Sequence, residues 1–168
     1  MTRTLNYLAV LLISLLLWGS VVQAQEMPQI NIQDTVIKVP LAEDVSMDDA
    51  VDSMKLRANS HNFKLVAHQP LYKELQAMGE ESKRIEIFQF CDARIAKAMI
   101  AYDKHFAAYL PCRIVLYEDD DGKLWLITLN LDMMIHGGKP LPSELMEDAL
   151  RVREVILDVM NRDAAGDF

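Results

Sequence analysis

Several chemical signatures are missing from this 168-residue chain, and each absence removes a class of function. There are two cysteines but no CxxC, so a thioredoxin-like redox motif is absent, and without CxxCH there is no covalent haem attachment. No serine lies in a nucleophile elbow. No basic cluster offsets the acidic balance of the chain, so we expect no binding to nucleic acid.

Only the N-terminus carries a long apolar run. Residues 1–24 contain Arg3, an apolar stretch and a small-x-small site before Gln25, a pattern typical of a cleaved secretory signal peptide. An uncleaved membrane anchor is the alternative. No later segment is apolar enough to span a bilayer, so we expect no membrane span after cleavage. The predicted location is the periplasm of a Gram-negative cell.

The mature chain is acidic and continuous. Cleavage would remove one positive charge, Arg3, and change the formal net charge from −8 to −9. Residues 25–34 are polar and lack a hydrophobic period, which predicts a flexible lead-in. We find no repeat or linker in residues 35–168 and expect a single domain there.

Hydrophobic spacing predicts an α+β fold. An acidic Asp-Gly turn between two β-branched and aromatic runs predicts a β-hairpin over residues 110–129. Apolar spacings of three and four predict helices over residues 47–61, 92–109 and 142–165, and residues 130–139 are expected to be a loop. Further strands are predicted at 35–41, 63–68 and 85–90. Together these elements predict a single sheet of four or five strands with a C-terminal β-hairpin and helices mainly on one face.

The order of elements and several short motifs resemble one family. The motifs are IFQFCD at residues 87–92, LPCRI at 110–114, GKLW at 122–125 and NLD at 130–132. With them the chain resembles the domain of unknown function family 302, in an exported, cysteine-containing form. The resemblance implies an α+β fold and a homodimer and no settled activity, whereas the two cysteines and a methionine-rich loop depart from the usual pattern.

Cys91 and Cys112 are the sharpest chemical feature. An even cysteine count in an exported protein favours a disulfide, and only one pairing exists. If the strands that carry them are antiparallel, the two sulfurs lie at the same end of the sheet and can meet; a bond would contribute about 3 kcal/mol. Parallel strands would exclude the bond. Redox and thiolate-ligand roles are the alternatives.

A soft-metal or haem site is a second hypothesis. Met133, Met134 and His136, with Cys91 and Cys112, offer thioether, imidazole and thiolate donors, the set that suits copper(I). The spacing matches no metal signature, and methionines commonly fill space in a core. We therefore predict no cofactor, with copper or haem as the alternative.

Arg113 is the charged residue whose position suggests a role. At the start of a strand it could bind a carboxylate such as Asp132, or an anionic ligand. We predict a non-catalytic, homodimeric binding or accessory domain with a pocket near Arg113, Asp132 and His136, for an unknown small ligand or a periplasmic protein. The alternative is a redox or metal-handling protein. Catalysis by the acidic residues 119–121 is not expected, because a hairpin turn is solvated.

Overall fold

The computed structural model describes residues 29–167, so the predicted signal peptide lies outside the described residues. A compact unit spans Asn31–Phe168. The last part of the predicted lead-in forms a short 3-10 helix, Ile32–Thr35, because the Asn31 side chain accepts a hydrogen bond from the amide of Gln33. Between residues 29 and 167 no helix combines the length and the apolarity needed to cross a membrane.

Five strands form one antiparallel sheet in the order β1-β5-β4-β3-β2. The strands are β1 (Val36–Pro40), β2 (Lys64–Gln69), β3 (Ile85–Cys91), β4 (Cys112–Glu118) and β5 (Leu124–Leu129). The predicted α+β class with a single sheet is confirmed. β3 and β5 flank β4, so the residues that precede β4 and those that follow β5 come together at one end of the sheet.

Successive side chains alternate between the two faces of the sheet. Phe88, Ile114 and Thr128 lie opposite one another across β3, β4 and β5, and all three are buried on the inner face. One residue further along, the outer-face positions are only half-buried. This difference identifies the inner face as the one that packs against the core.

Between residues 29 and 167 five α-helices accompany the sheet: α1 (Met47–Ser60), α2 (Leu71–Ala77), α3 (Ala93–Tyr102), α4 (Leu131–His136) and α5 (Ser143–Ala165). The Ser46 side chain caps α1 by accepting a hydrogen bond from the amide of Asp49, at 3.1 Å. Gly166 ends α5 in the left-handed region, at φ 73°. The long α5 contacts α1, α3, α4 and strands β1, β4 and β5, so it forms the centre of the core.

Two local predictions were wrong. The helix predicted over residues 92–109 ends at Tyr102, and a 3-10 helix (Lys104–Tyr109) follows it. The break occurs at Asp103, which is extended and whose side chain accepts a hydrogen bond from the amide of His105, so it caps a new segment. The predicted loop at residues 130–139 contains α4, because the Asn130 side chain caps it through the amide of Asp132.

Candidate functional site

A groove lies where the 3-10 helix at Lys104–Tyr109 faces α4 and the loop that follows it. It encloses about 260 Å³. Its lining consists of aromatic rings, two methionines, two glycines and three charged or titratable groups: Tyr102, Phe106, Tyr109, Met133, Met134, Gly137, Gly138, Asp103, His105 and Lys139. A concave site of mixed aromatic and polar lining is the usual form of a small-ligand site. We call this site the aromatic groove.

Local hydrogen bonds hold the two walls of the aromatic groove. The hydroxyl of Tyr102, at the end of α3, donates to the carbonyl oxygen of Pro140 at 2.9 Å and so joins one wall to the other. The ammonium of Lys139 lies 5.4 Å from the centre of the same ring, within cation–π range. At Gly137 a Cβ atom would lie 2.2 Å from the carbonyl oxygen of Met133, so any larger residue would force the backbone of this turn to shift. The walls are therefore fixed by contacts at their ends.

Behind the aromatic groove lies a smaller, buried pocket with an entirely apolar lining. Phe106 and Met134 line both spaces. The buried pocket is bounded further by Ile95, Met99, Leu110, Cys112, Ala149 and Val152. Phe106 and Met134 therefore separate the groove from a small apolar void of about 20 Å³, which the Cys112 side chain also lines.

The two cysteines do not form the predicted disulfide; both are free. The strands are antiparallel as that prediction required, but Phe90 is the residue opposite Cys112. Because side chains alternate, Cys91 points to the outer face and Cys112 to the inner face, and a bond requires Cβ atoms that face each other. Burial raises the pKa of Cys112 to about 11 and also raises the pKa of the half-buried Cys91, so neither thiol is activated as a nucleophile.

The residues predicted for anion binding are separated in the structure. Asp132 forms an ion pair with Arg153 of α5 at 2.7 Å, and not with Arg113. His136 lies one turn after Asp132 on α4, with its Nε2 3.9 Å from that carboxylate. Arg113 is exposed, pairs in register with Gln89 on the outer face of the sheet, and makes no ion pair with any residue from 29 to 167. Asp132 and His136 thus lie beside the aromatic groove, and Arg113 lies away from it.

The predicted metal-ligand set is also divided. Met133 and Met134 line the aromatic groove, Cys112 lies in the pocket behind it, and Cys91 is on the other face of the sheet. Across the described range 29–167, no three or more His, Cys, Asp or Glu side chains converge as a metal site. The soft donors that share one space are the two thioethers and the imidazole of His105.

Carboxylates elsewhere serve local structure. In the hairpin turn Asp119 accepts hydrogen bonds from the indole of Trp125 at 2.7 Å and from the amide of Lys123, and these lower its pKa. Burial acts to raise the pKa of Asp92, but hydrogen bonds from the amide of Arg94 and from Arg151 outweigh it and lower the pKa. These carboxylates are ionised and paired, which is unlike a general acid.

Sequence reasoning missed the aromatic side of the groove. Tyr102 and Phe106 continue the apolar spacing of the helix predicted over residues 92–109, and nothing in that spacing shows that they line a groove; His105 beside them has a side chain that is 95% exposed. Asp103 followed two residues later by His105 was the available signal, because an aspartate that caps a turn interrupts a helix. A second polar group was also missed: the buried Glu86 accepts from His68 at 2.6 Å and pairs with Arg84.

A single antiparallel sheet with helices around α5, and a groove at the end of the sheet where β4 starts and β5 ends, define an α+β domain with a ligand-sized site. Residues 37–162 match the family described as "Domain of unknown function DUF302", and the chain belongs to that family. A crystal structure of an uncharacterized conserved DUF302 protein from Bacillus stearothermophilus is similar, with a TM-score of 0.64 and 16% sequence identity, over 76% of this chain and 97% of that one. At this identity the likeness shows the fold alone. No curated protein matches the chain.

Proposed function

We propose that this protein is an exported, non-catalytic binding domain of its family and that its ligand occupies the aromatic groove. Residues 1–24 act in this proposal as a signal peptide that directs the protein to the periplasm, which makes it an exported, cysteine-containing member. The mature chain would then begin at Gln25, which intact mass measurement of the periplasmic protein tests directly.

The aromatic groove is the observation that carries the proposal. It combines three aromatic rings with two methionines at a site of about 260 Å³, and Phe106 and Met134 separate it from further apolar space. Aromatic and thioether side chains contribute dispersion and hydrophobic contact to an apolar ligand, and Lys139 at the rim offers a charge to an anionic end. These features favour a small amphiphile or a planar apolar molecule over a large polar substrate.

A non-catalytic role agrees with the chemistry around the groove. Asp103 is occupied by the amide and ring of His105, at 2.9 and 2.7 Å, and Asp132 by Arg153. The Cys112 thiol behind the groove has a raised pKa, so it is a poor nucleophile. The carboxylates of Asp103 and Asp132 therefore hold the walls of the aromatic groove in place.

The proposal is tested by filling the groove without disturbing the core. Gly138 lines the groove, and a Cβ atom added there would meet no atom within 4 Å, so Gly138→Trp adds a large ring at the edge of the groove with no clash at Cβ. We expect the fluorescent apolar anion 8-anilinonaphthalene-1-sulfonate to bind the folded wild type and to bind Gly138→Trp about tenfold more weakly, equivalent to about 1.4 kcal/mol.

Leu56→Trp is the matched control, because Leu56 is 73% exposed on α1, outside the aromatic groove. Both variants should unfold at the same urea concentration as the wild type. Equal probe binding by Gly138→Trp and the wild type, or an equal loss in Leu56→Trp, would remove the groove from the proposal. Native mass spectrometry of protein taken from the periplasm then reports any ligand that is already bound.

We also propose that the protein is a homodimer that associates through the outer face of its sheet. Ile87, Val115 and Ile127 lie in line across β3, β4 and β5 on that face and are only half-buried. The exposed Lys38 and Arg113 lie beside them on the same face, and an apolar strip rimmed by charged residues favours a partner. The last helix is unsuited to this role because its apolar stripe is buried against the sheet and α1.

Val115→Glu tests the dimer, since it places a charge at the middle of this apolar face. Light scattering after size exclusion should give a dimer mass for the wild type and a monomer mass for Val115→Glu, with Leu56→Glu remaining dimeric. A monomeric wild type at micromolar concentration would refute dimerisation.

A further inference from the structure

We infer that the ligand of the aromatic groove is a small apolar molecule with a single negative charge, and that Lys139 is the residue that selects it. This inference rests on the proposed function, because it names the class of ligand that the same groove holds. It narrows that class by charge, since the groove takes an anion in preference to a neutral or cationic molecule of the same shape.

Lys139 brings a positive charge to the groove that no carboxylate neutralises. Lys139 is exposed and lines the groove, and within residues 29–167 no carboxylate forms an ion pair with its ammonium. The ammonium lies 5.4 Å from the centre of the Tyr102 ring, which lines the same groove. The hydroxyl of Tyr102 donates to the carbonyl oxygen of Pro140, the residue after Lys139, so the ring and the lysine are held together. The groove therefore has a placed cation without a counter-ion.

The carboxylate of the groove is already engaged. Among residues 29–167 Asp103 is the one carboxylate that lines the groove; its Oδ1 accepts a hydrogen bond from the amide of His105 at 2.9 Å and lies 2.7 Å from the ring Nδ1. These two contacts lower the pKa of Asp103, and the charge of Lys139 adds to the lowering. The His105 side chain is 95% exposed, so solvent and salt screen any charge on it. An anion therefore finds a free cation in Lys139, whereas a cation finds a carboxylate that is already hydrogen-bonded.

The loop that carries Lys139 also has free hydrogen-bond donors. The amide of Gly137 donates to the carbonyl oxygen of Met133 at 3.0 Å, whereas across residues 29–167 no protein oxygen accepts from the amide of Gly138 or of Lys139. Gly138 has open space where a Cβ atom would be, so the backbone there is open to solvent. Backbone amides bind anions through charge-assisted hydrogen bonds. The loop thus offers an ammonium and two amides to one negatively charged group.

The rest of the groove determines the size and the single charge of the ligand. Phe106, Tyr109 and Met134 provide apolar surface, and about 260 Å³ is a small volume for a ligand site. A second negative charge on the ligand would have no counter-ion in the groove and would be repelled by Asp103. The ligand class is therefore one ring system or a short chain that carries one carboxylate or sulfonate.

The test compares two fluorescent probes that differ by one charged group. 8-Anilinonaphthalene-1-sulfonate is an anion, and N-phenyl-1-naphthylamine is the same molecule without the sulfonate. Lys139→Gln removes the charge of the exposed side chain. We expect it to raise the dissociation constant of the sulfonate probe about fivefold and that of the neutral probe by less than about twofold. Thioflavin T, a planar cation, should bind Lys139→Gln no more weakly than it binds the wild type.

Control variants show whether the position and the charge of Lys139 are responsible. Lys104→Gln makes the same charge change on the facing 3-10 helix, at an exposed residue that does not line the groove, so it should leave both dissociation constants unchanged. Lys139→Arg keeps the charge and should keep the affinity for the sulfonate probe. Gly138→Trp, which adds a ring at the edge of the groove, shows whether the probes bind there.

Three results would overturn the inference: an unchanged affinity of Lys139→Gln for the sulfonate probe, an equal loss of the neutral probe, or an equal loss in Lys104→Gln. If Gly138→Trp still weakens probe binding in these cases, the groove remains the binding site and only the charge of its ligand is wrong. If the wild type binds none of the probes, or Gly138→Trp weakens none of them, the proposed function fails as well.

Discussion

The buried carboxyl group of Asp163 predicts a loss of stability as the pH rises toward neutrality. Asp163 is on α5 and is fully buried against α1. Its Oδ1 accepts a hydrogen bond from the hydroxyl of Ser53 at 2.6 Å, and its Oδ2 has no partner. Burial raises the pKa of Asp163 from 3.8 to about 7; the Ser53 hydrogen bond and the charge of Arg57 oppose the rise, and Asp158 adds to it.

The sign follows from proton linkage. Between about pH 4 and pH 7 the unfolded chain releases this proton while the folded chain keeps it, so the free energy of unfolding falls as the pH rises. The loss is about 1.4 kcal/mol per pH unit and on the order of 4 kcal/mol in total, as an upper bound. The pKa values of Asp92 and Asp158 are lowered in the folded protein. These two groups therefore make the free energy of unfolding rise as the pH rises, but only below pH 3.8.

Asp163→Asn isolates the effect because the amide stays uncharged at every pH and retains an oxygen for Ser53. Urea unfolding followed by circular dichroism at pH 5, 6, 7 and 8 gives the free energy of both proteins. We expect the free energy of unfolding of the variant, relative to that of the wild type, to rise by about 1 kcal/mol per pH unit up to pH 7 and to stay constant above pH 7. A difference that is independent of pH would refute a protonated carboxyl group in the folded protein.

Two further predictions concern the two thiols and the turn after α4. Iodoacetamide should alkylate Cys91 in the native protein and Cys112 only after unfolding, because Cys112 is 5% exposed. Peptide mass spectrometry without reductant measures the alkylation of each thiol. If neither thiol reacts in the unfolded protein, this prediction is wrong. Gly137→Ala should lower the free energy of unfolding by about 1–3 kcal/mol through the contact with the Met133 carbonyl group, whereas Gly138→Ala should change it by less than about 0.5 kcal/mol. Equal urea midpoints for these two variants would show that the turn relaxes freely.

The spacing of apolar residues was sufficient to predict the helices and strands that bury one apolar face. Leu145, Ala149, Val152, Ile156 and Val159, spaced by three and four in the sequence, are all buried on α5. The alternation in residues 85–90 likewise predicted β3. In both cases one local pattern repeats over several turns or pleats, and burial of one face determines the structure.

The structure does not show the predicted disulfide, and the reason is a property that no local sequence pattern contains. The ends of the strands that carry Cys91 and Cys112 do meet, but the faces on which the thiols lie depend on the register of Phe90 with Cys112. A shift by one residue would have put both sulfurs on one face. Register is decided by the packing of the whole inner face, and a single sequence does not display it.

The residues predicted for a site lie in different parts of the structure. Met133, Met134 and Cys112 do lie at or behind the groove, but Arg113 and Cys91 do not. The aromatic wall was missed because Tyr102 and Phe106 continue the apolar spacing of α3. One hydrogen bond, which the Asp103 side chain accepts from the amide of His105, interrupts the helix, and a single capping side chain outweighs a periodic pattern only in the folded context.

The separate caps of the two groove walls have a consequence for how this fold can diversify. The 3-10 helix is started by Asp103 and α4 by Asn130, while the sheet, α1 and α5 close the core between them. Each wall is thus a short segment that begins at its own capping residue and lies at one end of the sheet. The exposed positions within residues 103–109 and 131–139 could be changed to accept a different ligand while the fold stayed the same, provided that the buried core residues Leu131 and Ile135 are kept.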